Sequence, residues 1–344
     1  MAKLFGHSYS KQEILTYVGD LSQIAGVQLL EMEEGSERGN RVASVRSGSG
    51  LSFDVLLDRG MDIGAAEYKG KPLAWISPVG FVNPAFFEPE GLGWLRGFGG
   101  GMMTGCGLTS AGSPDVDEGE ALGLHGRLSF LPARKVNTGE RWEGDECSIW
   151  IEGVVRQARV HGEYLSLSRR ISTGLGKNFI RYEDTIENLA SKPSPLMMIY
   201  HVNVGFPMVS ENSYLVAKPH KVEPRDAVAE SGLSNWDHFQ KPTPGYDEQV
   251  FLHDLVADEK GWTSIDLISP DAGLKLTVRY KMENLNRLVE WKMMGKGTYV
   301  LGLEPANCHL AGRSKERAAG TLQMIQPGEK KNFEVEISVE ELKD

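Results

Sequence analysis

No run of the chain is apolar over the roughly 20 residues that a helix needs to cross a bilayer, and the opening Met1-Ala-Lys-Leu-Phe-Gly-His lacks the apolar stretch of a secretory signal. A cytoplasmic protein without a membrane partner is expected. Cysteine is scarce. Cys106, Cys147 and Cys308 are odd in number and far apart, which excludes a disulfide framework and a CxxC zinc site and predicts reduced thiols. Positive charge is also in deficit: 37 Lys and Arg face 47 Asp and Glu, a net charge of −10, and the densest basic group, Arg313-Ser-Lys-Glu-Arg317, is short and interrupted. Phosphate backbones need clustered cations, so nucleic acid is excluded as a partner. The glycine run Gly97-Phe-Gly-Gly-Gly-Met-Met-Thr-Gly-Cys-Gly107 has neither G-x-G-x-x-G spacing nor a Lys in P-loop position, so it is no phosphate cradle. Internal repeats, low-complexity tracts and linkers are missing as well.

What is present is turn chemistry and alternation. The 40 Gly and 16 Pro among 344 residues imply many short elements. Polar and apolar residues alternate in Tyr164–Ile171, Phe179–Ile186, Leu274–Tyr280 and Phe333–Val339, the mark of half-buried strands. Further strands are expected at Arg41–Arg46, Leu51–Leu57, Ser148–Val155, Leu196–Val202, Arg287–Met293, Tyr299–Glu304 and Thr321–Ile325. Near the N-terminus Ile14, Leu15, Val18 and Leu21 follow helical spacing behind a Ser10/Glu13 capping box. The expectation is one all-β domain over 1–344: a helical lead-in at 1–40, then a large antiparallel sandwich at 41–344. The polar segments Ser110–Gly123 and Pro219–Pro244 are expected as loops over a site.

Three ionisable residues sit in apolar surroundings, where an unpartnered charge is costly. His125 stands between glycines in Leu-Gly-Leu-His-Gly-Arg127. His201 shares one face of an apolar strand with Asn203, and Glu304 ends Tyr299-Val-Leu-Gly-Leu-Glu-Pro305. Arg59, Arg96 and Arg127 add guanidinium forks suited to hydroxyls or a carboxylate, and Trp94 and Phe98 beside Arg96 suit the apolar face of a sugar. Taken singly, each is equally a structural histidine or an ion-pair partner. His125, His201 and Glu304 are also of the right type to bind a metal, although no tight metal-binding spacing accompanies them. Cys106 between two glycines fits packing better than nucleophilic chemistry.

The order of these motifs is more specific than any one of them. A Gly-rich, aromatic stretch with Arg96, then LHG at His125, YHVNVGFP at His201 and LGLEPAN at Glu304 are separated by 29, 76 and 103 residues. In that order they resemble the galactose mutarotase-like (aldose 1-epimerase) superfamily, over about residues 40–340, closest to its little-characterised aldose 1-epimerase branch. The resemblance implies a β-supersandwich and cofactor-free, metal-independent opening and reclosure of a sugar ring. Glu304 would take the proton of the anomeric hydroxyl, and His201 would protonate the ring oxygen. Arg96 and His125 would bind ring hydroxyls; Arg59, Asn203 and Arg127 join them as candidate substrate contacts through their own side-chain chemistry, not through the resemblance. The family's substrate-binding aspartate has no clear match; Asp237 or the pair Asp247-Glu248 are the candidates. Two readings stay open beside the enzyme: a non-catalytic carbohydrate-binding module, and a different reaction on the same scaffold. The sugar's identity and charge are open, as is the oligomeric state, a homodimer included.

Overall fold

In the computed structural model residues 1–343 are described, apart from the side chains at 219 and 220. Two antiparallel sheets dominate. The larger runs, in spatial order, Pro219–Pro224, Gln249–Leu255, Arg287–Gly295, Thr298–Ala306, Met197–Val204, Met103–Leu108, Asp62–Tyr68, Leu51–Leu56, Arg41–Arg46 and Gly26–Glu31. The smaller runs Arg134–Glu143, Glu146–Ala158, Tyr164–Gly174, Phe179–Asn188, Lys330–Glu341, Leu274–Lys281, Trp262–Ser269 and Tyr214–Ala217. Alternation does what period two requires: in Glu146–Ala158, Ile149, Ile151, Gly153 and Val155 are buried while Trp150, Glu152 and Val154 between them are partly exposed.

Residues of both sheets share one apolar core, to which Met198, Tyr200 and Val202 contribute from the larger and Leu167, Ile171, Ile180 and Tyr182 from the smaller. A charged network lies within it. Arg169, fully buried, donates from Nε and Nη2 to Asp184 at 2.7–3.1 Å and from Nη1 to the Gly60 carbonyl, and the Tyr200 hydroxyl donates to Asp184 at 2.6 Å. Tyr200 comes from the larger sheet and Asp184 from the smaller, so this network ties the two together.

The Met197–Val204 strand is buried on both faces. Met198, Tyr200 and Val202 belong to the inter-sheet core, whereas Met197 and Ile199 belong to a second cluster on the opposite face, with Trp94, Phe98, Cys106 and Phe130. By alternation His201 and Asn203 face that second, aromatic layer.

Two sequence expectations need correction, and one strand went unmarked in the sequence. The stretch 1–40 is not helical throughout. Helix Lys11–Tyr17 has the Ser10/Glu13 capping box, but Val18 is extended and Gly26–Glu31 is already an edge strand of the larger sheet, paired with Arg41–Arg46. Of the four residues at helical spacing, Ile14, Val18 and Leu21 are buried and Leu15 is exposed. The glycine run conceals a strand, Met103–Leu108, at the centre of the larger sheet. Gly107, at φ +141°, permits it: a Cβ there would lie 2.4 Å from the Met197 carbonyl oxygen. Segment 219–244 is only partly loop, since Pro219–Pro224 is an edge strand and Asp226 caps the helix Ala227–Gly232. Among the described residues no helix is long and apolar enough to cross a membrane.

Candidate active site

Register creates the site. His201 pairs with Thr104 on one side; on the other, the pairs Val202–Leu303 and Asn203–Gly302 set Glu304 directly across from His201. Cross-strand neighbours on one face are close, and His201 Nε2 lies 3.2 Å from Glu304 Oε1. His201 is 5% exposed and Glu304 2%. The His125 ring stands 5.8 Å from the His201 ring at an interplanar angle of 87°. His125 is a loop residue held at φ +55°, its N–H donating to the Gly112 carbonyl at 2.8 Å and its carbonyl accepting from Gly107 N–H at 3.0 Å.

Aromatic rings wall the two imidazoles. Trp94 is 4.7 Å from His125; Phe98 and Trp291 are 5.4 and 5.5 Å from His201; Trp75 packs on Phe98 and Trp291 at 5.8 and 6.1 Å. Within this setting His125 Nδ1, His201 Nδ1, Glu304 Oε2 and Asn203 Oδ1 are buried without a hydrogen-bond partner in the protein. Buried polar atoms are nearly always paired, so these four are left for water or for the polar atoms of a ligand to complete. The Asn203 amide is held in position by donating to the Gly101 and His201 carbonyls.

The dry surroundings move the titrations apart. Burial pushes the Glu304 carboxyl up to about 8, with nearby Glu248 adding to the rise and Arg225 opposing it. Burial pushes His201 down to about 3, helped by His125, and pushes His125 down to about 4. At pH 7 the His201–Glu304 pair therefore carries one proton, on the carboxyl.

Glu248 and Arg225 were not singled out as a pair by the sequence. Trp291 Nε1 donates to Glu248 at 2.8 Å and Arg225 Nη2 lies 3.1 Å from the same carboxylate, so the two ends of the 225–248 excursion meet at the rim beside Trp291. Glu248→Gln removes a negative charge facing Glu304 and frees Arg225 from a counter-ion. The expected result is a Glu304 pKa lower by about one pH unit, read from the carboxyl ¹³C titration by NMR.

The other sequence candidates separate. Arg59 is 2% exposed, donates to the carbonyls of Val82 and Gly97 and lies over Phe130; its fork is spent on backbone, so it shapes the chain beside Phe98 instead of reaching a hydroxyl. Asp237 is also misplaced by the sequence reading. It bonds His238, while Lys292, which points to the opposite face from Trp291, donates to the carbonyls of Asn235 and His238; that loop lies behind the sheet. Arg96 is exposed and paired with Glu88 at 3.3 Å, and Arg127 is exposed over Phe87. Cys106 is fully buried, which keeps its thiol protonated. Among the described residues no group of three or more His, Cys, Asp or Glu side chains is disposed to hold a metal ion, so the ligand set His125, His201 and Glu304 is not assembled as one. Trp75 and Trp291 lay outside the sequence reading, since nothing local ties Trp291 to His201 on a distant strand or Trp75 to the rings of Phe98 and Trp291.

The two antiparallel sheets, with a buried acid facing a histidine on the outer face of the larger one, have the galactose mutarotase-like fold of the solved structures to which the chain is similar. The chain belongs to the family described as Domain of unknown function (DUF4432), whose model matches residues 37–339. Among solved structures it is similar to a Klebsiella pneumoniae protein described as a "putative aldose 1-epimerase", at 28% identity and a TM-score of 0.87, over 91% of this chain and 83% of that one. A galactose mutarotase-like protein of Clostridium acetobutylicum (15% identity, TM-score 0.58, 92% and 99% covered) and the galactose 1-epimerase of Lactobacillus acidophilus (13%, 0.60, 93% and 100%) share the fold. Proteins of curated description yield no match.

Proposed function

We propose that the protein is a sugar mutarotase, of the aldose 1-epimerase type, that interconverts the α and β anomers of a free monosaccharide or a derivative. The observation that carries this reading is the buried His201–Glu304 pair, 3.2 Å apart, with unpartnered polar atoms on both residues. Opening a hemiacetal requires one proton removed from the anomeric hydroxyl and one delivered to the ring oxygen. A pair holding a single proton can do both. Transfer of the proton from the Glu304 carboxyl to His201 makes Glu304 the base and His201 the acid; after rotation about C1–C2 the roles reverse and the ring closes on either face. His125 and Asn203 supply polar contacts to the ring hydroxyls, Trp94, Phe98, Trp75 and Trp291 cover the apolar sugar face, and Arg96 and Arg127 reach substrate from the rim.

The test is magnetisation-exchange NMR of anomer interconversion against a panel of hexoses, pentoses, deoxy sugars, uronates and sugar phosphates. Acceleration with at least one sugar supports the enzyme; sugar-dependent thermal stabilisation without acceleration replaces it with a carbohydrate-binding module. The pH profile is a second check. The one-proton state of the pair spans pH about 3 to about 8, so kcat/KM is expected to be flat through neutrality and to fall tenfold per pH unit once Glu304 has lost its proton above about 8.

A further inference from the structure

His125 has no strand of its own to place it, and a loop side chain is only as well positioned as its loop. Its N–H bond to the Gly112 carbonyl closes the root of a hairpin formed by Asp115–Asp117 and Glu120–Leu122. That hairpin is gripped from one side. Arg313, 5% exposed and the first residue of helix Arg313–Ala318, donates from Nε to Asp117 at 2.6 Å, from Nη2 to Glu120 at 2.7 Å and from Nη1 to the Thr109 carbonyl at 3.3 Å. Arg317 donates to Asp117 twice at 2.8 Å, and Ser314 donates to Asp115 from N and Oγ at 2.5 and 2.9 Å. At the root itself Ser113 N–H donates to the Leu310 carbonyl at 2.8 Å, and Gly112 sits so tightly there that a Cβ would lie 2.5 Å from the Leu310 oxygen.

The gripping segment continues directly from the Glu304 strand. Between them Asn307 locks that strand to the His201 strand, accepting from Met198 N–H at 2.7 Å and donating to the Leu196 carbonyl at 3.0 Å. The chain from Glu304 to Arg313 is thus fixed at one end to the acid and histidine and at the other to the hairpin that ends in His125.

We propose that Arg313 is a positioning residue: through Asp117 and Glu120, the pair that flanks the hairpin turn, and through the Thr109 carbonyl, it holds the hairpin that leads to His125 against the segment that follows Glu304, and so sets where the His125 imidazole stands over the His201–Glu304 pair. A buried ion pair contributes little net stability, because desolvation offsets the Coulombic gain. Its forked hydrogen bonds do fix direction. The kinetic part of this inference rests on the mutarotase reading; the structural part does not.

The test uses the full chain carrying Arg313→Lys, which keeps the charge but cannot span the same three acceptors, and Asp117→Asn, a shape-preserving second variant should the first fail to fold. Arg181→Ala, which breaks the ion pair with Glu336 on the smaller sheet, is the control. Two readouts are taken. The ring resonances of His125, shifted by the Trp94 ring 4.7 Å away, report its position without reference to activity. They are expected to move in both variants while those of His201 hold, and to stay in place in the control. For a sugar found to be a substrate, KM is expected to rise about tenfold with kcat changed by less than about twofold. Variants that melt at lower temperature yet keep wild-type His125 resonances would overturn the proposal. Absence of anomer exchange in the wild-type protein would remove the mutarotase reading alone, with the His125 resonances still deciding the role of Arg313.

Discussion

Glu304→Gln is expected to abolish anomer exchange and, at alkaline pH, to make the protein more stable. Loss of the acid–base carboxyl removes roughly 10²–10⁴-fold of rate, measured by exchange NMR on a sugar that the wild-type protein is found to interconvert. The stability gain follows from burial. In the unfolded chain Glu304 loses its proton near the ordinary value of 4.5, but in the fold it keeps it to about 8. Between those values the native state binds the extra proton, so the contribution of Glu304 to stability is fully present below pH about 4.5 and is lost as pH rises through about 8. At 1.36 kcal/mol per pK unit this loss is on the order of 5 kcal/mol. Glutamine has nothing to ionise. Urea unfolding at pH 5 and pH 9 therefore separates the proteins: the wild type is expected to lose stability between the two relative to the variant. An equal pH dependence in both would show that Glu304 is not held protonated by its surroundings.

His201 acts in the opposite direction over a different range. Its native pKa of about 3 lies below the ordinary 6.5, so its contribution is present above pH about 6.5 and is lost as pH falls through about 3. Between pH 4.5 and 6.5 the two groups offset each other, and a protein with both buried at one spot is expected to be least sensitive to pH there.

Asp184→Ala is expected to be the most damaging single change in the core. It leaves the fully buried Arg169 guanidinium without its carboxylate and the Tyr200 hydroxyl without its acceptor. Stranding one partner of a buried pair costs about 3–5 kcal/mol, which denaturant titration would register directly. Replacing both partners together, as Arg169→Met with Asp184→Leu, is expected to cost less than Asp184→Ala alone, because no uncompensated charge remains. If the double variant were the weaker, the pair would be a net source of stability, contrary to its desolvation balance. Tyr200 precedes His201 on the same strand, so Asp184→Ala also tests how far the inter-sheet tie supports the site: any loss of exchange rate at temperatures where the variant is fully folded measures that coupling.

What the sequence determined by itself is what short-range periodicity can carry. Alternation marked the strands at Tyr164, Phe179, Leu274 and Phe333, and it put His201 and Asn203 on one face of an apolar strand. A charged or ionisable residue in an apolar run needs only its neighbours to look out of place, which is why His125, His201 and Glu304 were legible as chemistry before any contact was known. Tertiary structure decided everything that depends on which strand lies beside which. Register across residues 201 and 304 made a facing pair of two isolated anomalies, and a glycine-rich segment with weak strand character became the central strand between them and the Asp62–Tyr68 strand, with Gly105 and Gly107 at the places where neighbours leave little or no room for a Cβ. Arg59 resembled Arg96 in sequence, yet burial spent its donors on two carbonyls. Asp237 was as plausible as Glu248 until the sheet put one behind it and the other against Trp291. Local patterns record which face of its own strand a residue occupies; the partner it meets there is set by sheet order and register, which join residues a hundred positions apart and leave no mark in the spacing of either.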